Sequence, residues 1–142
     1  MEVEAYLHEH IPLSYAMGIK VEKATPHEVI LWAPLTPNIN HKQTAFGGSL
    51  HSIATLACWT YLYVNLLKEN VQIVIRKSDT EYLAPVEGDF KALCQSPSQE
   101  DWDNFLKMLH SKKKGRITLH SKVYFNDRLC VDYSGVFVAL KK

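Results

Sequence analysis

Length, composition and charge exclude several classes of protein. The chain has 142 residues, 46% of them hydrophobic, which suits a single domain spanning residues 1–142 with one core. Lys and Arg total 16 against 15 Asp and Glu, so the net charge of +1 provides no field that attracts nucleic acid or an anionic membrane. We therefore expect no nucleic-acid partner.

The cysteines, the histidines and the first residues of the chain indicate the compartment. Cys58, Cys94 and Cys130 are odd in number and far apart, which argues against a disulfide framework or a CxxC metal site. The seven histidines show no metal-ligand spacing with cysteines or acids, so we expect no metal and no separate cofactor. The start MEVEAYLHEHIP lacks the basic and apolar regions of a secretory signal, which predicts a cytoplasmic protein.

The first elements in the chain are a short helix and a hairpin. Apolar residues recur at four-residue spacing up to Pro12, which predicts a helix that this proline ends and that packs outside the core. Residues 18–25 and 27–35 have strand composition, and the Thr25-Pro26 pair separates them. They are predicted to pair as a hairpin.

The longest helix is predicted at residues 48–68, within an uncharged segment. Residues 43–67 contain no Asp, Glu, Lys or Arg and are long enough to span a bilayer. The polar side chains along the segment would each be costly in hydrocarbon: Gln43, Thr44, Ser49, His51, Ser52, Thr55, Thr60 and Asn65. We therefore expect no membrane span but a buried helix, apolar almost all round, that strands wrap.

The next predicted elements are two strands and a second helix. Residues 71–83 begin with the β-branched run VQIVI, and residues 89–95 are predicted to return as the other half of a hairpin. Ser98 opens a capping box with Asp101, and the helix that follows is predicted to end at residues 112–115 and to be peripheral.

The last two strands have the clearest pattern. Apolar and polar residues alternate over residues 116–125, and residues 129–140 form a more deeply buried partner after an Asn126-Asp127 turn. The order of elements favours antiparallel pairing between sequential strands. The sequence thus predicts an α+β fold in which a curved antiparallel sheet surrounds one long helix.

This arrangement, with Asn40 seven residues before Gly47-Gly48, resembles the hot-dog fold of acyl-CoA thioesterases. More narrowly, NINHKQTAFGGSLHSIATLACW and SDTEYLAPVEGDF resemble the thioesterase family named after the C-terminal domain of YiiD, over nearly the whole chain. The resemblance implies hydrolysis of an acyl thioester of coenzyme A or acyl carrier protein, with coenzyme A entering as part of the substrate. It also implies a homodimer or a dimer of dimers.

Thioester hydrolysis requires hydrogen-bond donors for the carbonyl oxygen and a group that positions or deprotonates water. The backbone amides of Gly47, Gly48 and Ser49 lie in the first turn of the long helix, where the helix dipole favours negative charge. Asn40 could hold the water or the thioester through its side-chain amide, and the resemblance places it where related thioesterases keep a functional Asn.

The sequence departs from the family pattern at three positions. Thr55 stands where many related thioesterases have an acid, Ala84 where a Ser often precedes the proline after the third strand, and Phe46 where a His sometimes precedes Gly-Gly. A hydroxyl is no general base near neutral pH. Two alternatives follow: Asn40 and the helix dipole act on a water held by Thr55, or a carboxylate enters the site, from Asp79 or Glu81.

The remaining candidates have structural as well as functional interpretations. Ser49 can act as a helix cap, and His51, in the first turn, favours a polar contact over catalysis. The KKKGR run at residues 112–116 suits a solvated helix end, but it could also bind the phosphates of coenzyme A, as could Arg76 and Lys77.

Two other functions stay open at this point. The protein could bind an acyl thioester without hydrolysing it, or act as a dehydratase-like enzyme, since Thr55 replaces the usual acid. It could instead be an accessory partner of an acetyltransferase, because relatives of this domain often follow one in the same chain.

Overall fold

A computed structural model describes residues 2–142, which form four helices, a short 3-10 turn and six strands. The helices and strands, in chain order, are α1 (Glu2–His10), α2 (Pro12–Ala16), β1 (Lys20–Ala24), β2 (Glu28–Ala33), α3 (Gly47–Asn65), β3 (Val71–Tyr82), β4 (Phe90–Gln95), α4 (Gln99–Lys112), β5 (Lys114–Phe125) and β6 (Arg128–Lys141).

One antiparallel sheet surrounds the long helix. Its strand order is β1-β2-β4-β5-β6-β3, and α3 contacts all six strands. Residues on most sides of α3 are fully buried, among them Ile53, Ala57 and Leu62 at 0% exposure. A helix this apolar needs cover around most of its circumference, and the curved sheet supplies it. The predicted α+β architecture is confirmed.

One predicted strand pairing is wrong. β3 pairs with β6 at one edge of the sheet, whereas β4 lies between β2 and β5, so residues 71–83 and 89–95 do not form a hairpin. Residues 83–89 instead carry the chain across to the middle of the sheet, where Phe90 is in register with Ala33. The composition of a strand indicates which of its faces is buried but not which strand it pairs with. Two strands joined by a short connection therefore look like a hairpin in the sequence.

The predicted hairpins β1–β2 and β5–β6 are confirmed. Asn126 and Asp127 join β5 to β6 with φ values of 48° and 62°. Positive φ at both central residues is the geometry of a two-residue hairpin turn whose twist matches that of the strands.

α1 covers the core, contrary to the prediction that it packs outside. Leu7 is 0% exposed and belongs to the core cluster. The Tyr6 ring stacks on Tyr63 of α3, with their centroids 4.5 Å apart. Pro12 ends α1 as predicted but occupies the first turn of α2, where its missing N–H costs no hydrogen bond.

α4 is also more than peripheral. Phe105 and Leu109 are 1% and 0% exposed and pack into the core. The helix ends at Lys112, within the predicted residues 112–115, and Lys113 caps it in the left-handed conformation with φ 62°. Gly115 lies in β5, and a Cβ there would stand 2.9 Å from the Phe105 carbonyl oxygen. The glycine is needed for close approach of α4 to β5.

Candidate active site at the start of the central helix

The first turn of α3 presents two unpaired backbone amides. Phe46 is the N-cap residue, in extended conformation and with no side-chain cap. Its carbonyl oxygen accepts from the amides of Ser49 at 2.9 Å and Leu50 at 3.1 Å. In residues 2–142, no hydrogen bond engages the amides of Gly47 and Gly48. Of the three predicted donors, these two are available to a ligand, at the positive end of the helix dipole.

Both glycines sit beside aromatic rings. A Cβ on Gly48 would stand 2.4 Å from the Phe46 ring, and one on Gly47 would stand 3.5 Å from the Tyr82 ring. The Tyr82 hydroxyl donates to the Gly47 carbonyl oxygen at 3.0 Å, which ties the end of β3 to the start of α3. Phe46 itself is 58% exposed. The absence of side chains at residues 47 and 48 thus leaves the amides open between two rings.

Asn40 organises the loop that leads into α3. Its Oδ1 accepts from the amides of Lys42 at 2.8 Å and Thr44 at 3.1 Å, and its Nδ2 donates to the Thr44 hydroxyl at 3.0 Å. A side-chain amide has two N–H donors, so one N–H remains for a ligand. Within this chain, the hydrogen bonds of the Asn40 side chain are therefore made to its own loop.

Asn38 anchors the same loop, and the sequence interpretation missed it. Its side chain is 2% exposed, and Nδ2 donates to the carbonyl oxygens of Met17 at 2.9 Å and Pro34 at 2.8 Å. Its own carbonyl oxygen accepts from the Phe46 amide at 2.7 Å, immediately before the helix. Asn38 is buried and Asn40 is half-buried, and the sequence around them does not show which of the two is which.

A cavity of about 260 Å³ lies between α3 and the segment that contains α2. Its walls are mostly apolar and include Leu13, Met17, Ile19, Leu56 and Trp59. The polar side chains that α3 contributes are His51, Ser52 and Thr55. These residues lie three, four and seven positions after Gly48, hence on the same face of the helix. Gly48 starts this face one turn earlier, although neither Gly47 nor Gly48 is among the residues that line the cavity.

Two of these polar side chains reach across to the sheet. His51 Nε2 lies 3.1 Å from the hydroxyl oxygen of Ser78 on β3. Thr55 donates its hydroxyl hydrogen to the hydroxyl oxygen of Tyr133 on β6 at 2.8 Å. The His51 and Tyr133 rings meet edge-on, with centroids 5.6 Å apart. Ser78 and Tyr133, which the sequence interpretation missed, thus join the predicted residues in one cluster.

The two carboxylates considered from the sequence lie on the other face of β3. Ser78 faces α3, so the alternation of a strand directs its neighbour Asp79 outward. Asp79 is in register with Ser134, and Glu81 with Asp132, on the outer face of the sheet. Within this chain, neither carboxylate is brought to His51.

The remaining predicted residues are spread along β3 and just beyond it. Arg76 lies at a register shift between Ile75 and Lys77, and Lys77 is in register with Val136. Both cations are exposed. Ala84 is half-buried, donates its amide to the Cys130 carbonyl oxygen at 3.3 Å and supplies no reactive group.

Across residues 2–142, no group of three or more His, Cys, Asp or Glu side chains is placed to hold a metal ion. No helix in that range combines the length and apolar character needed to cross a membrane.

Comparison with solved structures shows the fold. A protein of unknown function from Chlorobaculum tepidum TLS is 35% identical, with a TM-score of 0.93, covering 99% of this chain and 93% of that one. A structure described as "the putative thioesterase from Shewanella oneidensis" is 27% identical, with a TM-score of 0.84 and coverages of 98% and 95%. A protein from Pseudomonas aeruginosa described as "Probable Thioesterase" is 15% identical, with a TM-score of 0.86 and coverages of 99% and 95%.

These likenesses, together with the curved six-stranded sheet around α3, show the hot-dog fold that the sequence resemblance implied. At 15% identity, the Pseudomonas structure supports the fold alone. A family model described as "Putative thioesterase (yiiD_Cterm)" matches residues 1–141. Since the match covers all but one residue of the chain, the protein belongs to this thioesterase family.

Proposed function

We propose that the protein hydrolyses an acyl thioester at the amino-terminal end of α3. The observation that carries this proposal is the pair of unpaired amides of Gly47 and Gly48, which lie about one turn of α3 before the residues that line an apolar cavity. In our proposal both amides donate to the thioester carbonyl oxygen and stabilise the negative charge that develops on it. The aligned peptide dipoles of α3 add to this stabilisation.

The cavity between α2 and α3 suits a medium-length acyl group. Its volume is about 260 Å³, and Leu13, Met17, Ile19, Leu56 and Trp59 make its surface largely apolar. A cavity of roughly 150 Å³ holds benzene, with six carbons, so by proportion this one would hold roughly ten carbon atoms. An acyl chain or an aryl-acyl group of that size would leave water and bury its surface there.

His51 is the side chain we assign as proton acceptor, in place of the acid that Thr55 replaces. Histidine can exchange a proton near neutral pH, and His51 lines the cavity one turn after Gly48. A water molecule would attack the carbonyl carbon and give its proton to His51. Collapse of the tetrahedral intermediate would then break the carbon–sulfur bond, and His51 would return the proton to the sulfur.

The other side chains position these groups. Ser78 holds the His51 ring through its hydroxyl at 3.1 Å, and Thr55 can orient the water from the next turn of α3. Asn40 fixes the loop before the helix and offers one N–H to the water or the thioester. In this proposal the thiol that leaves belongs to coenzyme A or to an acyl carrier protein.

We also propose that the active form is a homodimer built through β3. This strand has twelve residues, pairs on one side with β6 and presents its other edge to solvent. Apolar side chains lie along and beside that edge: Ile75 is 41% exposed, Tyr82 53% and Leu83 48%. Pairing of two such edges satisfies the free backbone groups and covers these side chains. Since Tyr82 contacts Gly47, a partner there would also help to enclose the site.

A thiol-release assay with acyl-CoA substrates of increasing chain length tests the function. We expect release to be fastest near the chain length that fills the cavity. Gly48→Ala should lower kcat/KM by about tenfold to a hundredfold, because the added Cβ displaces the Phe46 ring beside the donor amide. His51→Ala should lower kcat by about a hundredfold or more. His27→Ala, in the exposed turn before β2, is the matched control.

The same assay separates hydrolysis from simple binding. The Phe46 ring that the added Cβ meets is 58% exposed and can move aside, so Gly48→Ala should keep the melting temperature while activity falls. Wild-type protein that binds acyl-CoA tightly but releases no free thiol would favour the non-hydrolytic or dehydratase-like alternative. That alternative is tested because Asp79 and Glu81 lie away from His51.

A further inference from the structure

A second and larger cavity, of about 690 Å³, lies on the outer face of the sheet, where β3, β5 and β6 approach α4. We call it the outer groove. The floor is apolar and is formed by Val74, Ile75, Met108, Val138 and Leu140; of these, Ile75 also lies on the free edge of β3. Val74 and Val138 are in register across the β3–β6 pair, which makes the floor continuous. Its volume is within the range of small-molecule sites in proteins.

Four cations form the rim of the outer groove: Arg76, Lys112, Lys114 and Arg116. All four are exposed, and within residues 2–142 none of them makes an ion pair; the pairs that do form use other cations. No Asp or Glu lines the groove. Since the whole chain carries a net charge of only +1, this is a local concentration of positive charge whose mutual repulsion an anionic ligand would relieve.

Local backbone geometry directs these side chains to one place. The register shift between Ile75 and Lys77 leaves Arg76 without a paired residue on β6, and such bulges re-aim a side chain. At the end of α4, the left-handed Lys113 turns the chain into β5. Strand alternation then brings Lys114 and Arg116 to the same face, with inward-facing Gly115 between them.

We propose that the outer groove binds a 3′-phosphorylated adenosine diphosphate, the nucleotide end of coenzyme A. Such a nucleotide carries about four negative charges on its phosphates, which matches the four free cations of the rim. Arginine guanidinium groups bind phosphate oxygens with two parallel hydrogen bonds. The planar adenine base would lie on the apolar floor formed by Val74 and Met108.

The outer groove and the proposed catalytic site lie on opposite faces of the sheet and share its edge strand, β3. Arg76 lies two residues before Ser78, roughly 7 Å along the strand. The Ser78 hydroxyl in turn lies 3.1 Å from His51 Nε2. The inference rests on the proposed function in its choice of nucleotide, and it selects coenzyme A over carrier protein as the group that bears the thioester.

The test compares wild type with the double variant Lys114→Gln, Arg116→Gln. Calorimetric titration with coenzyme A should show a dissociation constant at least about tenfold higher for the variant, since two charge-assisted contacts are lost. The KM for an acyl-CoA should rise by a similar factor, whereas the KM for the same acyl group on pantetheine, which lacks the nucleotide, stays at the wild-type value. Lys122→Gln, an exposed residue farther along β5, removes one charge outside the outer groove as the control.

The possible results distinguish this inference from the proposed function. Unchanged coenzyme A binding by the double variant, or equal rises in KM for both thioesters, would overturn the nucleotide site while leaving hydrolysis intact. A variant impaired only with an acyl carrier protein would also overturn it, because that substrate presents no free nucleotide. Wild-type protein that binds coenzyme A through the outer groove but hydrolyses neither thioester would support the inference and refute the proposed function.

Discussion

Tyr133 connects the candidate site to the interior of the sheet. Its side chain is 1% exposed, and its hydroxyl oxygen accepts from Thr55 at 2.8 Å. Burial raises the pKa of Tyr133 to about 12, because a phenolate would be poorly solvated there. The hydroxyl therefore stays neutral wherever histidine titrates, so it can fix Thr55 and contact the His51 ring without exchanging a proton of its own.

Replacing Tyr133 with Phe should reduce the pH dependence of stability in alkali. With a folded-state pKa of about 12 against an ordinary 10.0, the unfolded chain ionises first as the pH rises. The contribution of neutral Tyr133 to the free energy of unfolding is complete below pH 10 and is lost as the pH rises from about 10 to about 12. Urea unfolding near pH 9 and near pH 11.5 should show the wild type losing more stability than the variant. Equal losses would contradict the assignment.

Elements with local signals were predicted from the sequence. The cap predicted at Ser98 forms, with the serine hydroxyl accepting from the Asp101 amide at 3.1 Å, but among residues 2–142 the Asp101 side chain makes no return bond to the Ser98 amide, so only half of the capping box is present. The alternation of residues 116–125 is the observed burial pattern of β5. Hydrogen bonds within one turn and the faces of one strand depend on neighbours in the sequence, so spacing reports them.

The site was predictable only where it is local. The glycine pair and the start of α3 lie within a few residues of each other, and the sequence showed both. Thr55 and Tyr133, by contrast, are 78 residues apart and meet only because β6 packs against α3. The order of strands is set by which pairings bury the whole core, and residues 71–95 carry no local record of it.

The packing of α4 on β5 depends on Gly115, so we expect Gly115→Ala to destabilise the fold. An added Cβ would stand 2.9 Å from a backbone oxygen and 3.0 Å from the ring of Phe105, and the backbone cannot move aside cheaply. A free energy of unfolding lower by about 1 to 3 kcal/mol is expected from such overpacking. Chemical denaturation measures it, with Ser98→Ala, a lost cap costing about 1 kcal/mol, for comparison. A neutral result would show that α4 is loosely held.

At the scale of the whole molecule, the two edges of the sheet are unequal. β1 has five residues and carries Lys20, Glu22 and Lys23, and short charged edges resist pairing with another chain. β3 has twelve residues with exposed apolar side chains, among them Val74 at 37% and Ile75 at 41%. The asymmetry favours association of two copies through β3 over any contact through β1.

We expect Ile75→Lys to convert a dimer into a monomer. Ile75 is exposed in the single chain, so a lysine there leaves the core unchanged but places a charge on the edge that would pair. Sedimentation at micromolar concentration should give about half the wild-type mass, and thiol release should fall if the partner helps to enclose the site. Lys20→Glu on β1 changes charge at the opposite edge and should remain dimeric. A wild type that sediments as a monomer would refute the dimer, and a dimeric Ile75→Lys would place its interface away from β3.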